Sequence, residues 1–362
     1  MEIWAVFKDP GGINSIVPVI ELIKKQRPEI ETLLIANGRA ISLLPGKIGP
    51  LFLAHSVSDL NGLKRPDILL TSMCSFGGVG RDLVPIIRNG DITSVAVQDY
   101  WGSGLEASWA DPIYRPSFIC VGDAYAASLV QKAWSDVASE RIKITGFPVM
   151  DQYALINTTE LGRQVRNRFN IPETRKVVLF VGDCLPKIGY LLSEVIKTLN
   201  NIGQQICLIT RQHPRMVTEV PEEVPIWNET LKSFRNGQLI DNSYFFSISA
   251  IIAASDLVIG LFSTTLGEAA ALRKNSIALL YPHVMEKSKY YFKQLDMPPV
   301  VTLGCSIPVK NQSELEAMIR KALTSGLGLR ENQERHFRPD GRNAQRVADV
   351  VIECLDKNKT GK

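Results

Sequence analysis

The sequence predicts an α/β protein of two domains, each built around a parallel β-sheet with helices on both faces. Short apolar runs alternate with stretches of helical periodicity, which is the pattern of repeated β-α-β units. The same plan begins again after a break near residue 150. The chain has 362 residues, more than one domain usually holds, so two separate cores are expected.

Residues 1–150 are predicted to form the first domain. Its strands are expected at Ile3–Phe7, Thr32–Ala36, Ile68–Thr71, Thr93–Gln98, Phe118–Val121 and Ile142–Thr145, and its helices at Asn14–Lys25, Val79–Asn89 and Ala124–Trp134. These strand candidates are apolar along their whole length, which is typical of strands covered on both faces.

Residues 151–172 are interpreted as a linker, because Pro148 and the polar stretch Asn157–Glu160 interrupt the alternation. Residues 173–362 are assigned to the second domain. A helix at Leu161–Phe169 is expected within the linker. In the second domain, strands are expected at Val177–Val181, Gln205–Thr210, Leu257–Ile259 and Ile277–Tyr281, and helices at Leu191–Asn200, Ile248–Ala254, Leu266–Leu272, Ser313–Leu323 and Asn343–Leu355. The last helix is expected to close the second domain.

Composition argues against several classes of protein. The net charge is only +4, because the 41 Lys and Arg residues are nearly balanced by 37 Asp and Glu residues. The two signs are interleaved along the chain, so the sequence lacks the basic stripe of a protein that binds duplex nucleic acid. Six single cysteines without a CxxC pair argue against a zinc or redox site and favour a cytoplasmic protein. No apolar run approaches the roughly 20 residues of a membrane span, and the first residues resemble a strand rather than a signal peptide. The basic excess is compatible with peripheral contact at the inner membrane face.

Two glycines follow the first predicted strand, in the segment Asp9-Pro10-Gly11-Gly12-Ile13-Asn14-Ser15. Glycines allow a tight turn and a close approach of the backbone to a ligand. The following helix would point free N–H groups and the positive end of its dipole at an anion or a sugar hydroxyl group. The structural alternative is a tight turn in which Asn14 or Ser15 caps the helix.

A carboxylate beside two aromatic residues follows another predicted strand, in the segment Val97–Gly104. Asp99, Tyr100 and Trp101 are candidates for orienting a sugar acceptor, and a carboxylate there can act as a general base. Asp99 is the first choice for this base and Asp9 the second. The structural alternative is an ordinary surface loop with a capping Asp.

Histidine is rare in this chain, with four residues in all, and two of them follow predicted strands. The segment Arg211-Gln212-His213-Pro214-Arg215 combines cationic and imidazole groups that can hold a phosphate and stabilise a leaving diphosphate. His283, in Tyr281-Pro282-His283, is a candidate contact for the nucleotide or its sugar. A structural or merely exposed histidine is the alternative in both places.

The strongest motif is Ser255–Leu272, in which a buried strand leads into three hydroxyl residues and then a helix. Ser263, Thr264 and Thr265 would bring hydroxyl groups to a helix N-terminus, where phosphate binds well. Glu268 could accept hydrogen bonds from ribose hydroxyls, as acidic residues do in other nucleotide sites. Thr265 and Glu268 also have the spacing of a capping box, which is the structural alternative.

Ser255–Leu272 and Ile277–Pro282 together resemble the donor-binding region of GT-B glycosyltransferases. They are similar to the N-acetylglucosaminyltransferase of peptidoglycan synthesis and to the non-hydrolysing UDP-N-acetylglucosamine 2-epimerases. In those families a Ser/Gly-rich loop holds the diphosphate and a Glu on the next helix holds the ribose. The resemblance implies the first role for Ser263, Thr264 and Thr265, and the second for Glu268.

Threonines replace the usual glycines of that loop, which makes it more similar to the Ser/Thr motif of bacterial sialyl- and polysialyltransferases. The His-Pro pair of those enzymes, which contacts the nucleotide phosphate, matches His213-Pro214. Phe337–Ala344 resembles the C-terminal segment of capsule-type enzymes, and Thr145–Asp151 looks like the Gly-x-Pro-x-x-Asp step to the second domain. The resemblance implies the GT-B fold, with two Rossmann-like domains facing across a cleft.

The epimerases have features that this chain lacks. They carry a Gly-Asp where this chain has Ser72-Met73-Cys74, and a His-Arg where it has Gly182-Asp183-Cys184. Asp99 is the one carboxylate near a matching place. The acid and base positions expected of an epimerase are therefore largely missing.

The sequence thus predicts a glycosyltransferase that moves a sugar from a UDP- or CMP-linked donor to a sugar or glycolipid acceptor, in cell-surface polysaccharide or glycoconjugate synthesis. No DxD motif follows a predicted strand, so neither a metal nor a cofactor beyond the donor is expected. The predicted donor contacts are Arg211, His213, Ser263, Thr264, Thr265, Glu268 and His283. The predicted acceptor contacts are Gly11, Gly12, Asn14, Tyr100 and Trp101, with Asp99, Asp9 and His213 as catalytic residues. The alternatives are a nucleotide-sugar epimerase or hydrolase, and a non-catalytic nucleotide-sugar-binding subunit; an oligomer is compatible with each.

Overall fold

The computed structural model describes residues 1–38, 40, 50–73, 77–105, 108–241, 244–291, 295–337 and 340–360. Cys74, and Arg338-Pro339 of the tail motif, lie outside the described residues. The chain divides into two compact units, Met1–Gln152 with Asp340–Lys362, and Tyr153–Pro339. The division after residue 152 lies close to the predicted boundary at residue 150.

The first unit contains a seven-stranded sheet. Its elements in chain order are β1 (Glu2–Phe7), α1 (Pro10–Gln26), β2 (Glu31–Ala36), β3 (Leu51–Leu53), β4 (Ile68–Met73), α2 (Val79–Arg88), β5 (Thr93–Gln98), β6 (Phe118–Val121), α3 (Ala124–Ala133), β7 (Ile142–Ile144) and α4 (Asp151–Leu155), which leads into the second unit. The strand order is β3-β2-β1-β4-β5-β6-β7, and the described pairs are all parallel. This order reverses direction between β1 and β4, as in doubly wound folds.

The second unit contains a six-stranded sheet of the same design. Its elements are α5 (Thr158–Arg168), β8 (Lys176–Val181), α6 (Ile188–Asn200), β9 (Ile206–Arg211), α7 (Met216–Glu219), α8 (Glu223–Leu231), β10 (Gly237–Asp241), α9 (Ile248–Ala254), β11 (Leu257–Gly260), α10 (Thr264–Ala271), β12 (Asn275–Leu279), α11 (Pro282–Tyr291), α12 (Pro299–Thr302), β13 (Ile307–Val309), α13 (Gln312–Thr324) and α14 (Arg330–His336). The order β10-β9-β8-β11-β12-β13 is the dinucleotide-fold order, again with parallel pairs throughout the described strands.

Three strands were not predicted from the sequence, and all three lie at the edges of the sheets. β3 and β10 are edge strands, as is β13, in which Pro308 stands between Ile307 and Val309. An edge strand has a neighbour on one side only, so it can carry exposed or polar residues and a proline. β10 contains Gln238 and Asp241, and β3 and β13 have three residues each, so none of the three shows the long apolar run that identifies central strands.

The first helix begins earlier than predicted, at Pro10 rather than Asn14. Asp9 is its N-cap, and its Oδ1 atom accepts a hydrogen bond of 2.8 Å from the Gly12 backbone N–H. The expectation that Asn14 or Ser15 caps this helix is therefore wrong. Pro10 favours the earlier start because its fixed φ suits the first helical turn, where its missing N–H costs nothing.

The predicted linker belongs to the second unit. In α5, Val165 is fully buried and packs with Ala250 and Ala254 of α9 in a small core of their own. The polar surface of α5 hides this contact in the sequence, because only one side of the helix is covered.

The last helix, α15 (Asn343–Thr360), belongs to the first unit, so its predicted place in the second domain is wrong. Its residues Val347, Val351 and Leu355 are buried against α1 in the core of the first unit. An apolar stripe at helical spacing shows that a helix packs against a core, but it does not say which of two cores.

The start of α15 is held by contacts between the two sequence motifs Thr145–Asp151 and Phe337–Ala344, which lie at the two ends of the second unit in the chain. Both carboxylate oxygens of Asp151 accept backbone N–H groups at the start of α15, from Asn343 at 2.8 Å and from Ala344 at 2.7 Å. The Asn343 amide in turn donates to the Phe147 carbonyl oxygen at 3.1 Å. Asp151 thus caps the final helix from a distant part of the sequence. None of the described helices combines the length and apolar character that crossing a membrane requires.

Asp151→Ala is expected to destabilise the first unit by about 1–2 kcal/mol, because two N–H groups of α15 lose their acceptor. Denaturant unfolding followed by circular dichroism measures this change. Asp349→Ala, which removes an exposed carboxylate from the same helix, should change the free energy of unfolding by less than about 0.5 kcal/mol. Equal losses in the two variants would contradict the capping role of Asp151.

Candidate functional site

In both units, polar side chains collect at the carboxyl edge of the sheet, close to the point where the strand order reverses. This point lies between β1 and β4 in the first unit and between β8 and β11 in the second. On the two sides of this point, the helices that follow the strands pass over opposite faces of the sheet. The crevice between these helices, at the carboxyl ends of the strands, is where ligands of doubly wound folds bind.

In the first unit, the glycine pair allows α1 to approach the strand ends closely. A Cβ atom on Gly11 would lie 2.3 Å from Oδ2 of Asp99, and one on Gly12 would lie 2.4 Å from Oγ of Ser72. Any larger residue would displace these polar groups. The glycines thus sit inside the first helical turn and bring Asp9, Asp99 and Ser72 together around it.

Asp99 and Asp9 form a pair of neighbouring carboxyl groups. The Oδ1 atom of Asp99 is buried and has no hydrogen-bond partner among the described residues. Burial, and after it the negative charge of Asp9, raises the pKa of Asp99 to about 7, although the Ser103 hydroxyl works in the opposite direction. Asp99 therefore exchanges its proton near neutral pH, as a general base requires.

The other predicted acceptor contacts differ in their exposure. Trp101 is only 2% exposed, and its indole N–H donates to Oδ2 of Asp123 at 3.0 Å. Its ring also lies edge-on to Phe147, with 4.7 Å between centroids. Trp101 is thus part of the core and does not present a ring face to an acceptor as expected, because its large apolar ring is more stable when buried. Tyr100 is partly exposed, and Asn14 is exposed on α1.

In the second unit, α10 follows the strand β11 after three residues and begins at Thr264, two residues before the predicted start at Leu266. Ser263 is the N-cap, and its Oγ atom accepts the Thr265 backbone N–H at 3.2 Å. Thr264 is exposed at the first helical position, whereas Thr265 is 8% exposed. The capping box suggested for Thr265 and Glu268 does not form, because the helix begins before Thr265 and Glu268 lies beyond its first turn.

Glu268 is held in a buried position with one oxygen unused. Its Oε2 atom is buried and has no partner among the described residues, while Tyr153 forms a hydrogen bond with its carboxyl group. Burial raises the pKa of Glu268 to about 7, against the opposing effects of Tyr153 and the Arg211 charge. The pKa of Tyr153 is also raised, so its hydroxyl stays protonated and donates.

Arg211 lies at the end of β9 among aromatic residues. Its guanidinium donates to the Phe246 carbonyl oxygen at 3.2 Å and stacks 5.0 Å from the centre of the Tyr244 ring. The Tyr244 hydroxyl donates to the Gln212 carbonyl oxygen at 2.9 Å, and the neighbouring Phe245 is 84% exposed. An aromatic surface thus borders the Arg211 cation.

The His213 imidazole is fixed by two contacts at Nδ1. This atom lies 2.8 Å from Sγ of Cys184 and accepts the Arg215 backbone N–H at 3.1 Å. Burial, and after it the Arg215 charge, lowers the pKa of His213. The ring is therefore neutral at pH 7, so a hydrogen bond that it donates comes from an uncharged imidazole.

His283 stands at the second position of α11, between two tyrosines. Its ring centre lies 6.3 Å from that of Tyr190 and 6.2 Å from that of Tyr281. The Nε2 atom is buried and has no partner among the described residues. Burial, and after it the Lys187 charge, lowers the pKa of His283, so it too is neutral at pH 7.

Four residues at these edges were missed by the sequence analysis: Ser72, Tyr153, Cys184 and Tyr244. Ser72 is the last but one residue of the buried strand β4, and nothing in the sequence distinguishes it from a core serine. Tyr153 lies in the supposed linker and reaches Glu268 only through the tertiary fold. The adjacent aromatics at 244–246 are the one signal that could have been used. Within the described part of the chain, no group of three or more His, Cys, Asp and Glu side chains is arranged to hold a metal ion.

No protein-family model and no curated protein matches the sequence. Among solved structures, the chain is similar to UDP-GlcNAc 2-epimerase from Neisseria meningitidis bound to UDP-GlcNAc, with 14% identity, 98% of this chain and 100% of that chain covered, and a TM-score of 0.66. It is also similar to UDP-GlcNAc 2-epimerase from Methanocaldococcus jannaschii, with 14% identity, 98% and 100% coverage, and a TM-score of 0.67.

The wall teichoic acid polymerase TagF, in its H444N variant, is similar over 99% of this chain and 90% of that chain, with 14% identity and a TM-score of 0.63. Although the sequence identity to these structures is only 14%, the structural likeness extends over nearly the whole chain and establishes the fold. The chain therefore has the GT-B fold, an α/β architecture of two Rossmann-like domains, as the sequence predicted.

Asp9→Asn is expected to lower the pKa of Asp99 below about 7, because it removes the negative charge that helps to raise it. The pKa should stay above the ordinary value for Asp, since burial is the larger cause. Carboxyl ¹³C NMR over a pH series measures it. Asp111→Asn, which changes an exposed residue, serves as the control.

The Asp9–Asp99 pair also makes the free energy of unfolding depend on pH. A raised pKa means that the folded chain binds the Asp99 proton more tightly than the unfolded chain does. This stabilisation is complete below about pH 4 and is lost as the pH rises through about 7. Asp9→Asn should reduce the loss, and an unchanged pH profile together with an unchanged Asp99 pKa would exclude the coupling.

Proposed function

We propose that this chain is a glycosyltransferase that moves a sugar from a nucleotide-sugar donor to an acceptor hydroxyl, in the synthesis of a cell-surface polysaccharide or glycoconjugate. One observation carries the proposal. The carboxyl edge of the second sheet combines phosphate-binding groups with two buried polar atoms, Glu268 Oε2 and His283 Nε2, that have no partner in the described chain. Buried polar atoms normally find a partner, so a polar ligand accounts for both.

The second unit is suited to the donor. The N-terminus of α10 offers backbone N–H groups and the Ser263 and Thr264 hydroxyls, a setting that favours phosphate oxygens. The Arg211 cation and a hydrogen bond from neutral His213 would add to the stabilisation of charge on the leaving nucleotide. Glu268, through its unused oxygen, would accept a ribose hydroxyl, as the resemblance to GT-B enzymes implies.

The aromatic surface beside Arg211 extends this assignment. Tyr244 is about half exposed and Phe245 is largely exposed, an unusual arrangement for two large adjacent rings. A nucleobase that stacks on the Tyr244 and Phe245 rings would lie next to Arg211, the cation proposed to bind the phosphates of the same nucleotide. This supports a nucleotide-linked donor over a simple phosphate ester.

The first unit is suited to the acceptor. Asp99, with a pKa of about 7, is the proposed base that removes the acceptor proton, and Asp9 helps to keep that pKa high. Two neighbouring carboxyl groups repel an anion, so a neutral sugar hydroxyl, free or on a glycolipid, is favoured over a phosphate as the nucleophile. Asn14 and Tyr100 are exposed enough to contact such an acceptor. In this proposal the groups of the second unit stabilise the charge on the leaving group, and no metal is needed.

A nucleotide-sugar epimerase is the second candidate, and the likeness to two UDP-GlcNAc 2-epimerases over nearly the whole chain favours it. TagF, a polymerase, is similar to a comparable degree and favours transfer. At 14% identity neither likeness decides the reaction. A non-catalytic nucleotide-sugar-binding subunit would keep the second-unit groups but would have no use for a titrating Asp99.

Donor incubations separate these candidates. Thermal unfolding with UDP, CMP, GDP and dTDP should show one preferred nucleotide, because a ligand at 100 times its Kd stabilises the folded state by about 2.7 kcal/mol. The corresponding nucleotide sugar should then persist when incubated alone and release its nucleotide only with an acceptor, as followed by NMR. Change of the donor without an acceptor would indicate an epimerase or a hydrolase, and tight binding without turnover would indicate a binding subunit.

Ser263→Ala and His213→Ala are each expected to weaken binding of the preferred nucleotide by about tenfold or more, because each removes a hydrogen bond to a charged phosphate. Isothermal titration calorimetry measures the Kd. Asn157→Ala removes a helix cap of the same kind from α5 in the same unit and should leave the Kd unchanged. Unchanged affinity in both site variants would discard the donor assignment.

A further inference from the structure

The thiol of Cys184 has no part in the proposed transfer, yet it lies against one of its central groups. Cys184 follows β8 and is 8% exposed, and its Sγ atom is 2.8 Å from Nδ1 of His213, which follows the neighbouring strand β9. The pairing of β8 with β9 brings these two side chains together from positions 29 residues apart.

The contacts of Nδ1 decide which ring nitrogen of His213 carries the proton. A backbone N–H can only donate, and that of Arg215 lies 3.1 Å from Nδ1. Nδ1 must therefore be the acceptor, and the Cys184 S–H group donates to the same lone pair. A neutral imidazole has a single N–H, so in His213 this N–H is at Nε2.

The surrounding charges agree with a neutral pair. Burial raises the pKa of the Cys184 thiol to about 11, so it remains an S–H donor at pH 7. Burial and the Arg215 charge lower the pKa of His213, with Glu219 as the opposing charge. A proton on Nδ1 would also face the Arg215 backbone N–H, so the hydrogen bond between this N–H and Nδ1 would be lost even if Sγ then acted as an acceptor. A thiolate–imidazolium pair of the kind used by nucleophilic cysteines is therefore disfavoured here.

We propose that Cys184 is a positioning residue that, together with the Arg215 backbone N–H, holds His213 in its Nε2–H form so that this N–H donates to a ligand phosphate. The phosphate as ligand rests on the proposed function, whereas the protonation site of the ring does not. Without the thiol, one of two donors at Nδ1 is lost, and the Nδ1–H form and a rotated ring become accessible. A serine in place of Cys184 keeps a donor at the same point.

The test combines a spectroscopic and a binding measurement on the full chain. Two-bond ¹H–¹⁵N NMR of the ring nitrogens, with His213 assigned by its absence in His213→Gln, should show a protonated Nε2 and an unprotonated Nδ1. Cys184→Ala should shift both nitrogen signals towards a mixture of the two forms, and Cys184→Ser should restore the single form. Cys207→Ala, which removes a buried thiol near the start of β9, should leave the His213 signals unchanged.

Titration with inorganic pyrophosphate, and separately with UDP, reports the role of the Nε2–H group. The Nε2 signal should move on binding, and Cys184→Ala should weaken binding by about threefold to tenfold, the effect of one neutral hydrogen bond. Cys184→Ser should bind within about twofold of the unaltered chain, since a hydroxyl donates at least as well. A proton on Nδ1 in the unaltered chain, or ring signals identical in Cys184→Ala, would overturn the proposal.

The two readouts keep this inference separate from the proposed function. An Nε2–H ring that depends on Cys184, and whose signal moves with pyrophosphate, supports the inference even if no sugar transfer is found. If neither pyrophosphate nor UDP moves the Nε2 signal, the phosphate-donor role is overturned, whatever reaction the chain performs.

Discussion

The parallel pairing of β8 with both β9 and β11 is the constraint on which the candidate donor site depends. Leu257 of β11 is in register with Val178 of β8, and Val177 of β8 is in register with Cys207 of β9 on its other side. Crossovers between parallel strands are right-handed, so the helices after β8 and β11 must pass on opposite faces of the sheet. Arg211, His213 and Ser263 stand at or just after the strand ends that this arrangement leaves open.

Burial sets the charge states at these strand ends. It raises the pKa of both Asp99 and Glu268 to about 7 and lowers the pKa of both His213 and His283. The carboxyl groups therefore titrate near neutrality, while the imidazoles are neutral hydrogen-bonding groups. Uncharged or half-charged groups are less costly to bury than full charges, and they leave atoms free for a ligand.

The first unit is built from two separated parts of the chain. Six buried side chains of its core come from α15: Ala344, Val347, Ala348, Val351, Cys354 and Leu355. Residues 1–152 alone would lack them and would expose the facing surface of α1. The cap that Asp151 provides to α15 explains why the segment around residue 150 and the tail segment carry recognisable motifs: each is the binding partner of the other.

The sequence by itself determined the fold class, the central strands and the loops that carry polar groups. Strands covered on both faces must be apolar, and parallel strands bring their carboxyl ends to one edge, so local patterns were sufficient for these features. The edge strand β10 was not recognised because its exposure permits polar residues, and β3 and β13 were not recognised because three residues are too few to give an apolar run. The candidate donor motif Ser263–Glu268 stands out in the sequence because the strand, the hydroxyls and the helix are contiguous.

Only the tertiary structure decided which core receives α15, that Trp101 is buried, and that Tyr153 and Cys184 lie against Glu268 and His213. These facts depend on contacts between residues that are far apart in the chain. Such contacts are set by packing and by the removal of polar groups from water, and neither leaves a periodic or local signal in the sequence.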